Sequence, residues 1–167
     1  GRTVLWQEDY EYLELESPTN LLIQNSANPL INIIGLKGRY NRLDAWLAIE
    51  TVHRLTKTPA AELIKHINRF PGSQRRMEQI APNLYTDYAH TPEKIRGAMS
   101  VALEMAEENN QQLVVVYEPL TNRRQHYMMD DYGDCFSGAT KLYWVPSYLA
   151  REDPNQRVIP PQELITH

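Results

Sequence analysis

The sequence predicts an α/β protein, a Rossmann-like and mostly parallel sheet preceded by a shorter tail of strands and helices. Three observations predict it. From residue 84 onward, short β-rich runs alternate with helical periodicity, the signature of βαβ units and a parallel sheet. The run over residues 113–117 is continuously apolar, as expected of a strand in the middle of such a sheet. The breaker Phe70-Pro71-Gly72 separates this alternation from what precedes it and sets a domain boundary, giving regions 1–70 and 71–167.

In the first region, residues 3–36 read as extended stretches broken by turns. Tyr10, Tyr12, Leu13 and Leu15 precede the breaker Ser17-Pro18-Thr19-Asn20, and Leu21-Leu22-Ile23 and residues 30–34 follow as short strands. Lys37-Gly38-Arg39-Tyr40 leads into a helix with Leu43, Trp46, Leu47 and Glu50 along one side and Ala45, Ile49 and Val52 beside them. Thr58-Pro59 opens a second helix, an N-cap followed by proline, whose stripe is Leu63, Ile64 and Ile67.

In the second region, residues 84–88 read as a strand and Thr91-Pro92-Glu93 as a helix start. Ile95, Ala98, Met99, Ala102 and Met105 then recur at helical spacing. Residues 113–117 form the next strand, residues 125–139 a helix and residues 141–145 a third strand. The sequence stops at Leu164-Ile165-Thr166-His167, just after another helix is expected to begin. Three strands are few for a complete sheet, so the chain is expected to be cut at both ends of a larger fold.

Composition narrows the function classes. The net charge of −4 provides no basic footprint for nucleic acid. No apolar run approaches the roughly 20 residues that span a bilayer. The single cysteine, Cys135, excludes a disulfide framework within the chain and fits a reducing, cytoplasmic setting, with Cys135 as inert packing inside a helix. Trp6, Trp46 and Trp144 read as core or interface aromatics.

Open parallel sheets bind ligands beyond the carboxyl ends of their strands. Here the three strands run into Asp87-Tyr88-Ala89-His90-Thr91-Pro92, into residues 118–124 (EPLTNRR) and into residues 146–153 (PSYLARED), which topology would gather at one edge. The helix after His90 turns its N-terminal amides toward that edge and favours an anion. Arg123 and Arg124 can hold a carboxylate or phosphate through paired donors. Asp87 can accept from ribose hydroxyls, and His90 can donate or carry a proton. Blander roles stand beside these: Asp87 and Thr91 as caps, His90 as a structural residue, Arg123-Arg124 as a solvated pair, and Arg151-Glu152-Asp153 as a salt-bridged turn.

Three segments, in this order, resemble signatures of the Mur ligase family. They are Gly38-Arg39-Tyr40-Asn41-Arg42-Leu43-Asp44, then residues 70–78 (FPGSQRRME), then Asp87-Tyr88-Ala89-His90-Thr91-Pro92. The resemblance implies that residues 1–70 are the tail of a central ATPase domain and residues 71–167 much of a Rossmann-like C-terminal domain. It implies that Asn41 and Asp44 lie near the adenine, that Arg76 contacts the nucleotide and that Asp87 holds its ribose. Tyr88, His90, Asn122 and Arg124 would face the incoming amine or the transferring phosphoryl group, His90 and Arg124 as catalytic groups. The implied reaction uses ATP and Mg2+ to turn the carboxylate of UDP-N-acetylmuramate into an acyl phosphate that an amine attacks. It belongs to peptidoglycan synthesis, and through it to cell shape and division.

Tyr40 and Asp44 stand where the family usually has histidine and a second asparagine. The glycine-rich phosphate loop and the uridine-nucleotide domain do not occur in this sequence, so the chain alone is expected to be inactive and none of its residues is named as a metal ligand. Within Tyr117-Glu118-Pro119-Leu120-Thr121-Asn122, the Glu-Pro-x-Thr-Asn core looks like the branch that attaches a murein tripeptide, while the trailing arginine looks like the L-alanine-adding branch. L-Alanine is the preferred acceptor and the tripeptide the alternative. A folate-polyglutamylating relative and a non-catalytic binding domain of the same fold are further alternatives. A nicotinamide oxidoreductase is disfavoured because no Gly-x-Gly-x-x-Gly follows a strand. The sequence leaves the oligomeric state open.

Overall fold

The structure is a computed structural model that describes residues 3–13, 21–146, 149 and 152–165. The expected breaker at residues 17–20, the segment 147–148, Ala150, Arg151 and the last two residues lie outside the described residues. The chain divides into two compact units, Gly1–Pro71 and Gly72–His167.

In the first unit, strand β1 (Thr3–Trp6) pairs in parallel with β2 (Leu21–Gln24), Thr3 opposite Leu21 and Trp6 opposite Gln24. Between them runs helix α1 (Gln7–Tyr12), where an extended stretch was expected. Residues 30–34 also differ from the expected strand: Pro29–Ile33 form a 3-10 helix. Pro29 presets its φ, and the Asn28 side chain accepts from Leu30 N at 3.0 Å, so local capping overrides the β-propensity of the isoleucines.

Helix α2 (Arg39–Thr56) follows Gly38, whose φ of 81° needs the freedom of glycine, and ends at Lys57 in the left-handed region. Its buried side carries Ala45, Trp46, Ile49 and Glu50, close to the expected stripe, while Val52 is exposed. The Trp46 indole donates to Gln24 Oε1 at 3.1 Å and ties the helix to β2. Helix α3 (Ala60–Ile67) closes the core with Ile64, and Leu63 and Ile67 pack beside it. Thr58 does not cap this helix; Pro59 occupies the cap position, and the Thr58 hydroxyl accepts from Thr56 Oγ1. At the far end the Asn68 side chain accepts from Gly35 N and donates to Ile33 O, binding α3 to the 3-10 segment.

The second unit departs at its start from the expected sheet. The strand after residue 83, β4 (Leu84–Thr86), pairs antiparallel with β3 (Glu78–Ala81) in a tight hairpin rather than joining a parallel sheet. Asn83 at the turn has a φ of 57°, a conformation asparagine tolerates and hairpin turns require. Helix α4 (Pro92–Glu108) follows Thr91 with proline at its first position, and buries Ile95, Met99 and Val101. Strands β5 (Val114–Tyr117) and β6 (Lys141–Trp144) pair in parallel, as the alternation predicts. Among the described residues this ladder is two-stranded, and Val114 and Val116 on one of its faces are exposed, so β5 is not the doubly covered strand expected.

The helix expected over 125–139 is confined to α5 (Asn122–Tyr127), followed by a 3-10 turn at Met129–Asp131 and further turns. Cys135 therefore sits in a turn, buried, and not in a helix. Gly138, at a φ of 88°, ends this stretch against α4. The covered side of the ladder carries an aromatic core: the Tyr117 ring lies 4.7 Å from Trp144 and 5.0 Å from Phe136, with Tyr132 alongside. Ile159 and Leu164, from the segment after residue 152, complete it. Instead of a regular helix near the end there is a 3-10 turn at Pro161–Glu163.

Gly138→Ala is expected to destabilise this unit by about 1–3 kcal/mol. A Cβ there would approach Leu103 Cδ2 to 2.9 Å, in a backbone conformation that disfavours any side chain. Chemical denaturation measures the change, and an unchanged midpoint would refute this account of the turn.

Candidate functional site

Residues 73–78, bearing two adjacent arginines, are stitched to the chain that leaves β4. The Asp87 carboxylate accepts from Met77 N at 2.9 Å and from Ala89 N at 2.7 Å. Tyr88 N donates to Arg75 O at 3.0 Å, and Arg75 N donates to Glu78 Oε2 at 2.7 Å. These bonds hold Arg75 and Met77 at φ of 56° and 45°, left-handed conformations that a non-glycine residue keeps only when its surroundings impose them. The arginine loop and the segment 87–90 therefore form one body within the second unit.

The side chains on this body stack. The Arg75 guanidinium lies over the Tyr88 ring at 4.3 Å from its centroid, and the His90 ring lies 4.8 Å from Tyr88. His90 Nδ1 is 2.7 Å from Tyr88 O; a carbonyl only accepts, so Nδ1 carries the proton and Nε2 keeps the capacity to accept or, once protonated, to donate. Arg76 is exposed, and no hydrogen bond or ion pair among the described residues engages its guanidinium. Asp87 caps no helix. Each of its oxygens already serves one backbone amide and retains a lone pair for a further donor.

The segments after β5 and β6, two of the three expected at one edge, meet: Val145 N donates to Tyr117 O at 2.8 Å, and Arg123 N donates to Glu152 Oε2 at 2.9 Å. Thr121 caps α5 by accepting from Arg124 N, and the Arg124 side chain on that helix is exposed. Asn122 is buried and its amide is engaged at both ends, donating to Arg157 O at 3.0 Å and accepting from Ile159 N at 3.1 Å. His126 Nε2 donates to the same Arg157 carbonyl at 2.7 Å, and the Arg157 guanidinium forms a two-pronged pair with Glu163 that holds this carboxyl below its usual range. Sequence reasoning missed His126, Arg157 and Glu163; they bind through chain folding and follow no local spacing. The first expected segment, 87–92, is joined by hydrogen bonds to the arginine loop.

Asn41 and Asp44 belong to the first unit, exposed on the first turns of α2. The Asn41 amide donates to Lys37 O at 2.7 Å. Elsewhere in the second unit, Arg96 pairs with Asp134 at 2.8 Å and lowers the carboxyl's affinity for protons. Burial pushes the Cys135 thiol up, which keeps it protonated and a poor nucleophile. A cavity of about 520 Å³ lies among the hairpin, α4 and β5, lined largely by apolar groups such as Leu84, Ala98, Ala102, Met105 and Val116.

The chain is similar to known ligases. It is 32% identical to the UDP-N-acetylmuramate--L-alanine ligase of Rickettsia africae (strain ESF-5) over 122 residues, 70% of this chain and 25% of that protein. It is 31% identical over 126 residues to the ligase of the same name from Rickettsia canadensis (strain McKiel), 72% of this chain and 26% of that protein. With the ligase of Rickettsia felis (strain ATCC VR-1525 / URRWXCal2) the identity is 30% over 122 residues. No protein-family model matches the chain. The chain spans about a quarter of the length of the curated relatives it matches. It is thus homologous to a segment of a ligase. Together with the order of the three motifs, this similarity is consistent with a fragment of a Mur ligase.

Asn122→Ala is expected to destabilise the second unit by about 1–3 kcal/mol, chiefly because the buried Ile159 N–H loses its acceptor. Arg157 O keeps His126 as a donor. Denaturation combined with hydrogen exchange checks this. The amide of Ile159 is expected to lose protection before those of α4, and unaltered exchange at Ile159 would sink the assignment.

Proposed function

We propose that the protein carrying this chain joins L-alanine to UDP-N-acetylmuramate in peptidoglycan synthesis, with residues 1–70 from its central ATP-binding domain and residues 71–167 from its C-terminal domain. The observation that carries the reading is the match to UDP-N-acetylmuramate--L-alanine ligases across about 70% of the chain. The stitched arginine loop and segment 87–90 support it, because they form a preorganised body of the kind that transfer chemistry needs.

ATP supplies the phosphoryl group that activates the muramyl carboxylate. On this reading Arg76 reaches the phosphates from an otherwise unengaged position, and Asp87 takes the ribose hydroxyls on its remaining lone pairs. Asn41 and Asp44 lie toward the adenine. Nε2 of His90, in the tautomer its Nδ1 contact enforces, can take a proton from the attacking amine. Arg124 and Tyr88 orient the carboxylate end of that acceptor, while Asn122 holds the turn that presents Arg124. Mg2+ would neutralise the phosphates. No group of three or more histidine, cysteine, aspartate or glutamate side chains suited to a metal occurs among the described residues. Among the described residues no helix is long and apolar enough to cross a membrane. The proposed setting is the cytoplasm, where the nucleotide substrates are available.

The test is phosphate release from ATP by the full-length protein with UDP-N-acetylmuramate present, comparing L-alanine with the murein tripeptide. Release that requires L-alanine supports the reading, and release that requires only the tripeptide moves the protein to the recycling branch. Silence with both, from folded protein, overturns it. Arg76→Ala is expected to lower kcat/KM for ATP by about 10–100-fold, equivalent to one lost charge-assisted contact. Steady-state kinetics at varied ATP reads that change.

A further inference from the structure

Arg75 and Arg76 are neighbours in one motif, yet their surroundings differ. Arg76 projects into solvent from a loop. Arg75 is held at three points: its amide on Glu78, its carbonyl on the Tyr88 amide and its guanidinium over the Tyr88 ring at 4.3 Å. Tyr88 in turn touches His90 twice, ring to ring at 4.8 Å and through the 2.7 Å contact from its carbonyl to Nδ1. A guanidinium over a tyrosine face is attracted by the ring quadrupole, and the planar group restricts how the ring can tilt. Tyr88 is 40% exposed, so no surrounding core fixes the ring.

We infer that Arg75 is a positioning residue that sets the Tyr88 ring and, through it, the imidazole of His90, leaving nucleotide binding to Arg76. The consequence for turnover rests on the ligase reading above; the geometric part does not. Arg75 acts through Tyr88 on the orientation of His90, the imidazole that the ligase reading makes the proton acceptor for the amine. Its loss therefore reduces the rate of the chemical step and leaves ATP affinity intact.

The experiment uses the full-length protein labelled in its histidine rings, with the His90 signals identified by their absence in His90→Gln. Arg75→Gly is the informative variant, because glycine favours the positive φ at this position and leaves the turn intact. The His90 ring signals are expected to shift in Arg75→Gly, as the ring current of Tyr88 moves, and to return toward the wild-type position in Arg75→Lys. With wild-type activity established, Arg75→Gly is expected to lower kcat by about tenfold or more, as for a displaced catalytic group, with KM for ATP changed by less than about twofold. His90 signals that do not move in Arg75→Gly overturn the inference. So does a rise in KM for ATP matching that of Arg76→Ala, which would make Arg75 a nucleotide contact. Signals that move in a protein inactive with every acceptor uphold the positioning and remove the ligase reading instead.

Discussion

The Asp87 carboxylate carries the architecture of the second unit's polar end. It accepts backbone amides from both sides of the hairpin, Met77 N ten residues before it and Ala89 N two residues after it. Hydrogen bonds to an ionised acceptor are roughly twice as strong as neutral ones, which is what a loop with two left-handed non-glycine residues requires. With that anchor in place, Tyr88 N reaches Arg75 O, the Arg75 guanidinium meets the Tyr88 ring and His90 settles beside it. The hairpin of β3 and β4 brings the two segments together, and Asp87 keeps them there.

A second network of the unit uses the same device in neutral form. Asn122, fully buried, satisfies a carbonyl and an amide of the segment 157–159, and His126 adds a second donor to that carbonyl. Ile159 and Leu164 are thereby inserted against Tyr117, Tyr132 and Phe136. The polar loop after β5 and the aromatic core beneath it are thus joined through one asparagine side chain. Burial raises the Tyr117 phenol well above its ordinary range and pushes Tyr132 up as well, so both rings stay uncharged at physiological pH.

Motif residues in this chain thus have structural duties beside the ligand roles the family resemblance implies. Asp87 and Asn122 both spend hydrogen-bonding capacity on backbone. For Asp87, each oxygen keeps a lone pair; Asn122 is buried, and its amide holds the segment 157–159. Two adjacent arginines likewise separate into one that is engaged and one that is available. A sequence motif records that residues are required together, and the contacts divide them by task.

Helices α2, α3 and α4 were legible because each carries apolar residues at helical spacing between sharp signals such as Gly38, Phe70-Pro71-Gly72 and Thr91-Pro92. Strands β2, β5 and β6 were legible as short apolar runs. The 3-10 helix at Pro29–Ile33 was not, since the capping by Asn28 competes with a run of isoleucines and wins locally. The β3 partner was invisible because Glu78-Gln79-Ile80-Ala81 lacks alternation and forms a strand only when β4 folds back over Asn83. What the sequence by itself determined was local: periodicity, breakers, and an order of motifs that resembles the Mur ligases. What only the tertiary structure decided was which segments meet, namely Met77 with Asp87, Asn122 with residues 157–159, and Arg75 with Tyr88. Those pairings depend on hydrogen bonds and ring contacts between residues far apart along the chain, where no spacing rule operates.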